Sequence, residues 1–273
     1  MPATALLVLL AFGLTLTACT GDVPSTSSGA AAPTQPALGP FPSDLAEGLR
    51  TETDLPYTEA TDCGGTPCTV PGDVLAPADG SDLPTIVMLG GGSTPFAERR
   101  YQEDLAVELA ERGAVVFLMS YRSAVTGNYD SDSYNDVRCA VRYARAATEE
   151  YGGDPSRVVA VGHSQGGLVA LVIAIQPEVE ADACLADGSG KPDGVVALGS
   201  PTPSFVGAGD TAPPMWLFAG SDDRDAEGTA QRLRDRGYDA QAQELPGVTH
   251  EAITDPIATP EVVDVIFQAV DSV

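Results

Sequence analysis

The chain has 273 residues, 43% of them hydrophobic and 19% charged, with a formal net charge of −25 at pH 7. That size and apolar share suit one substantial α/β core with extra segments around it. So acidic a surface repels phosphate backbones and anionic headgroups, which excludes nucleic acid and acidic bilayers as electrostatically held partners.

The chain opens on an apolar run, Leu6 to Leu16, too short to span a bilayer comfortably. It leads into Leu16-Thr17-Ala18-Cys19, and small residues ahead of a cysteine resemble a bacterial lipobox. Residues 1–18 are therefore expected to be a lipoprotein-type signal peptide, with Cys19 carrying the lipid and the domain held outside the cytoplasm at the cell membrane. An ordinary secretory signal is the alternative, and the first four residues, Met1-Pro2-Ala3-Thr4, hold no Lys or Arg. Residues 19–42, rich in Ser, Thr, Ala, Gly and Pro, bury too little to order themselves and read as a flexible tether. The folded domain is expected over 43–273.

Removing Cys19 from the five cysteines leaves Cys63, Cys68, Cys139 and Cys184, an even number that suggests two disulfides in an exported domain. Cys63 and Cys68 flank a turn-prone Gly-Gly-Thr-Pro, and Cys139 would then pair with Cys184, although four cysteines allow three connectivities. The absence of Cys-x-x-Cys argues against zinc, and no metal or other cofactor is implied.

Within the domain, Val70–Pro77 and Thr85–Leu89 read as strands, the second almost wholly apolar, and Gly90-Gly91-Gly92-Ser93 follows at once. Glu98 to Arg112 has helical spacing closed by Gly113, and Ala114–Met119 is a buried strand. Tyr121 to Tyr134 reads as a polar loop and Asn135 to Tyr151 as a helix. Next come a strand at Val158–Val161, an apolar helix at Leu168–Ile175, an acidic loop and a strand at Val195–Leu198. Beyond the loop 201–214 lie a strand at Met215–Ala219, a helix at Asp225–Arg236, an alternating strand at Ala240–Leu245 and a helix at Glu261–Val270. Strands alternating with helices predict a mostly parallel sheet covered on both faces, with the active site beyond the strands' carboxyl ends.

Gly162-His163-Ser164-Gln165-Gly166 sits between strand and helix, the setting of a nucleophile elbow. A tight turn there would lift the Ser164 hydroxyl clear of the sheet. A hydroxyl needs a base. Of the two histidines, His163 is too close along the turn to point at its neighbour and reads as a packing or hydrogen-bonding residue, so His250 is the candidate. Gly220-Ser221-Asp222-Asp223 supplies the carboxylate that orients it. Spacing favours Asp223, with Asp222 expected to cap the next helix. Two backbone donors for a developing oxyanion, each worth roughly 3 kcal/mol of barrier, would come from Gln165 and from Gly91 or Gly92.

Taken together, Leu-Gly-Gly-Gly at 89–92, Tyr121-Arg122, Asp136 opening a helix, Gly-His-Ser-Gln-Gly-Gly at 162–167, Gly-Ser-Asp-Asp at 220–223 and His250 resemble the α/β-hydrolase superfamily. The likeness is to its bacterial carboxylesterase and dienelactone-hydrolase-like branches and covers about Val70 to Val270. It implies a cofactor-free serine esterase with Ser164, His250 and Asp223 as triad, and with Gly91 or Gly92 as the second oxyanion donor. Leu89 stands where many such esterases have histidine, and serine replaces the cysteine of true dienelactone hydrolases. No segment between the core strands is long enough for a large helical lid, so esters of short or medium acyl chains are expected. A serine exopeptidase, an acyltransferase and a non-catalytic envelope lipoprotein on the same scaffold are the rival readings.

Overall fold

The computed structural model describes residues 37–42, 46–60, 63, 67–92, 96–123, 131–178, 183–204, 212–223 and 225–273. The lipidation candidate Cys19 and the apolar leader lie outside them. Near the domain boundary, Phe41 is buried against the sheet's helical layer and the Arg100 guanidinium lies 4.1 Å above its ring. The end of the segment read as a tether is thus packed against the domain.

Eight strands run β1 Leu49–Ala60, β2 Cys68–Pro77, β3 Leu83–Leu89, β4 Val115–Met119, β5 Gly153–His163, β6 Gly194–Leu198, β7 Met215–Gly220 and β8 Ala240–Leu245. They form one sheet in the order β1-β2-β4-β3-β5-β6-β7-β8. The pairs β1/β2 and β2/β4 are antiparallel, and every pair from β4 across to β8 is parallel. The central strands are apolar along their length because both faces are covered. β8 alternates Ala, Gln, Ala, Gln because it is an outer strand with one wet face.

Among the described residues, five α-helices cover the sheet: α1 Glu103–Glu111, α2 Ser131–Ala147, α3 Gln165–Ile175, α4 Ala226–Arg234 and α5 Glu261–Val270. α1 and α5 contribute to one core, and α2, α3 and α4 to the other. All of α3 from Gly166 to Ile175 is buried, which accounts for a helix apolar on every side. Two disulfides join Cys63 to Cys68 and Cys139 to Cys184. The second links α2 to a segment that bridges β1 at Thr58.

Several boundaries differ from expectation, each for a local reason. β1 escaped a reading based on apolar alternation, since Leu49–Ala60 is largely charged and polar and holds Pro56, which an outermost strand tolerates. The helix expected from Glu98 begins as a 3₁₀ turn at Arg99–Gln102, and a repeat of three puts the buried Arg99 and Gln102 on one side. α2 starts at Ser131 inside the stretch read as loop, so Asp136 lies within the helix and does not open it. Asp132 and Asp136, one turn apart, both bind the Arg122 guanidinium, at 3.0 and 2.8 Å. Their polarity disguised a helical face.

Candidate active site

β5 ends at His163, and Ser164 takes φ 53° and ψ −118° before α3 begins at Gln165. A non-glycine residue holds such a conformation only where its surroundings over-determine it. Here they do. The Ser164 N–H donates to the Leu198 carbonyl at 2.8 Å, and the Leu168 N–H to the Ser164 carbonyl at 3.2 Å. A Cβ on Gly162 would stand 2.4 Å from the Gly166 backbone, and one on Gly166 2.2 Å from the Leu89 carbonyl oxygen. Both glycines are therefore required by the closeness of backbone to backbone.

His250 arrives on the loop after β8, and Asp223 on the turn after β7. His250 Nδ1 is hydrogen-bonded to Asp223 Oδ1, while Gly220 N–H donates to Asp223 Oδ2 at 3.0 Å. The Asp223 side chain is 3% exposed and that of His250 31%, so the carboxylate is sealed beneath an imidazole that still reaches solvent. Gly199, at the end of β6 with φ +55°, makes room for the pair. A Cβ there would lie 2.8 Å from His250 Nδ1 and 2.9 Å from Asp223 Oδ2. The sequence hid this role, because nothing local distinguishes Gly199 from any strand-end glycine. Asp222 is exposed and does not cap the next helix; Asp225 does, accepting the Gly228 N–H at 2.7 Å. Asp225 precedes α4 directly, whereas Asp222 is four residues short of it.

Ser164, His250, Gly91 and Gly92 all line one cavity of about 380 Å³, together with Glu98, Tyr101, His163 and Glu251. Gly91 stands against the nucleophile candidate, since a Cβ on it would meet Ser164 Cβ at 2.9 Å. Tyr121 fixes the glycine loop from below, its hydroxyl donating to the Gly90 carbonyl at 2.8 Å. Ser123 Oγ lies 3.3 Å from the Gly92 carbonyl oxygen and 3.1 Å from Gln165 Oε1, and its single proton serves one of them at a time. Gln165 opens α3, so its backbone N–H has no partner inside the helix.

His163 is buried, and its Nε2 lies 2.8 Å from the His250 carbonyl oxygen. A carbonyl only accepts, so Nε2 carries the proton and Nδ1 is left as a lone-pair acceptor. Its ring packs 4.6 Å from that of His250 and stacks on Tyr101 at 5.8 Å. Burial, with His250 beside it, pushes its pKa down to about 4, which keeps it neutral around neutral pH. The residue before the serine thus clamps the backbone of the histidine far along the chain.

A rim hydroxyl, an imidazole oriented by a buried carboxylate, and glycine backbone beside a helix start can together perform acyl transfer. The sheet order, the strand–serine–helix turn and the placing of Asp223 and His250 after β7 and β8 define the α/β-hydrolase fold, and this chain has it. Comparison with known proteins points the same way. A family model described as BD-FAE matches residues 73–197. The isoprenylcysteine alpha-carbonyl methylesterase ICME of Arabidopsis thaliana is 28% identical over 105 residues, 38% of this chain and 24% of that protein. The probable carboxylic ester hydrolase LipM of Mycobacterium tuberculosis is 30% identical over 95 residues, 34% of this chain and 22% of that protein. The matches thus span about a quarter of the length of these relatives. Among solved structures, the apo form of Thermogutta terrifontis esterase 2 superposes with a TM-score of 0.66 at 18% identity, covering 83% of this chain and 95% of that one.

Proposed function

We propose that this chain is a serine hydrolase that cleaves carboxylic esters through an acyl-enzyme. The single observation that carries the reading is the hydrogen bond from His250 Nδ1 to the buried Asp223, at a cavity that also holds the strained Ser164. Ser164 Oγ attacks the ester carbonyl as His250 Nε2 takes its proton. Asp223 fixes the tautomer and stabilises the imidazolium. The oxyanion is met by the N–H groups of Gln165 and of Gly91 or Gly92. The tetrahedral intermediate then collapses, the alcohol leaves with the proton from His250, and water repeats the sequence to release the acid.

The esterase names of the matched proteins support the reaction class. A cavity of about 380 Å³ is near the lower end of ligand pockets and favours short or medium acyl chains. The test is Ser164→Ala. It should abolish p-nitrophenyl butyrate hydrolysis and labelling by a fluorophosphonate probe, and undiminished turnover in that variant would remove the mechanism.

We further propose that the domain acts outside the cytoplasm, anchored through a lipid on Cys19. Two disulfides support an oxidising compartment. Mass spectrometry of the mature N-terminal peptide decides the matter: an acylated Cys19 bears it out, and an uncut leader or an unmodified Cys19 refutes it.

A further inference from the structure

The cavity wall carries more than the reacting groups require. Glu98 and Glu251 both line it, on opposite segments of the chain, and Tyr101 stands with them. Among the described residues, the lining includes no Lys or Arg, and neither glutamate forms an ion pair. The cations next to Glu98 in sequence are engaged elsewhere. Arg99 is buried against Asp54 and Asp73, and Arg100 is held by Asp73 and lies over Phe41. The negative charge at this mouth is therefore left for a ligand to meet.

Two further observations agree with that sign. Tyr101 is 46% exposed, stacks on His163 and lines the cavity, so it offers aromatic surface to whatever enters. An aromatic face attracts a cation through its quadrupole, and most strongly an ammonium group that water solvates weakly. His163, 3% exposed and lining the same cavity, has no hydrogen-bond partner at Nδ1. With its proton committed to the His250 carbonyl, that nitrogen presents a lone pair, which repels an anion.

We propose that this mouth selects esters bearing an ammonium group on the alcohol side, over isosteric neutral esters and against anionic ones. The inference rests on the esterase reading above. The alcohol is the part that takes its proton from His250, and Glu251, next to His250 in the chain, lines the same cavity. Tyr101 lines the same cavity as Glu251. Two carboxylates acting across a solvated mouth change the capture of a monovalent group by about tenfold at low salt, and by less as salt screens them.

The test compares butyrylcholine with 3,3-dimethylbutyl butyrate, in which carbon replaces the ammonium nitrogen without a change of shape. In the native protein kcat/KM should favour the cationic ester by about tenfold at low ionic strength. That ratio should fall as NaCl is raised to about 0.5 M. In Glu98→Gln/Glu251→Gln it should move toward unity, chiefly through KM. A native ratio at or below unity overturns the proposal, as does a ratio that survives the double substitution. If the double variant does not fold, the salt dependence of the native ratio decides, and a salt-independent ratio counts against the proposal. Fluorophosphonate labelling of Ser164 separates the two levels of inference. Labelling with no preference between the esters sinks the selectivity alone, whereas no labelling and no turnover of either ester sinks the esterase reading with it.

Discussion

Two of the described carboxylates, Asp73 and Asp223, are buried with basic partners toward opposite ends of the sheet. On the antiparallel side, Asp73 of β2 is fully buried and accepts from Asp54 N–H and Arg100 Nε, each at 2.8 Å, while Arg99 Nε lies 2.8 Å away. On the parallel side, Asp223 is nearly as deep, but its partner is one half-exposed imidazole at a cavity. A guanidinium keeps its charge throughout the accessible pH range, so the first cluster is permanent and can only hold structure. The imidazole reaches a cavity, so the second pair can meet a ligand. Depth of burial alone does not distinguish Asp73 from Asp223. The partner's access to a cavity does.

Under the proposed mechanism, breaking the His250–Asp223 pair should have the largest effect. Asp223→Asn should lower kcat for ester hydrolysis by about 10⁴-fold, because an amide no longer holds the productive tautomer. A loss under tenfold, in a variant with native circular dichroism, would show that Asp223 does not orient the base. Breaking the structural cluster should act on stability instead. Asp73→Asn or Arg99→Met leaves an uncompensated buried charge, at a cost of about 3–5 kcal/mol. Urea midpoints should fall accordingly, while kcat per folded molecule is retained. A variant of normal stability and reduced kcat would erase the distinction between the two sites.

The two disulfides sharpen the contrast in a different way. Cys139–Cys184 closes 45 residues and Cys63–Cys68 only 5. In the loop-entropy account, removing the long one by paired Cys→Ser substitution should cost about 4 kcal/mol and the short one about 2. Denaturant titration of the two paired variants ranks them, and the reverse order would refute that account here.

The smallest effect concerns pH. The unfolded chain binds a proton at His163 near the ordinary value of 6.5, the folded chain only near about 4, because burial opposes the charge. Between those values the unfolded state holds more protons, so this residue's contribution to stability is lost as pH falls from 6.5 toward 4 and levels off below. His163→Gln can still donate to the His250 carbonyl but does not titrate. Its Tm should therefore decline less steeply across that window than that of the native protein, and equal slopes would exclude the assignment.

The parts of the site legible in the chain were those written in a few adjacent residues. Gly162 to Gly166 announces a strand–turn–helix, because only glycine fits where a Cβ on Gly166 would stand 2.2 Å from the Leu89 carbonyl oxygen. Asp223 stood out by its place after a buried apolar strand, and His250 because the other histidine is locked inside the elbow. What escaped was whatever depends on distant partners. β1 carries no apolar alternation, and its strand character comes from pairing with β2. The start of α2 was hidden because Asp132 and Asp136 serve Arg122, a residue before the helix.

By itself, then, the order of residues determined the α/β alternation, the position of the nucleophile turn and the short menu of acids and bases from which a triad could be drawn. These follow from local sterics and from patterns repeated within one element. Only the tertiary structure decided that Gly199 vacates space for the His250–Asp223 pair, that His163 clasps the His250 backbone from 87 residues away, and that Glu98 and Glu251 face the same cavity. Those facts arise where loops from separate strand ends converge over one rim. Such a convergence is set by sheet order and packing, and no stretch of sequence short enough to read locally contains it.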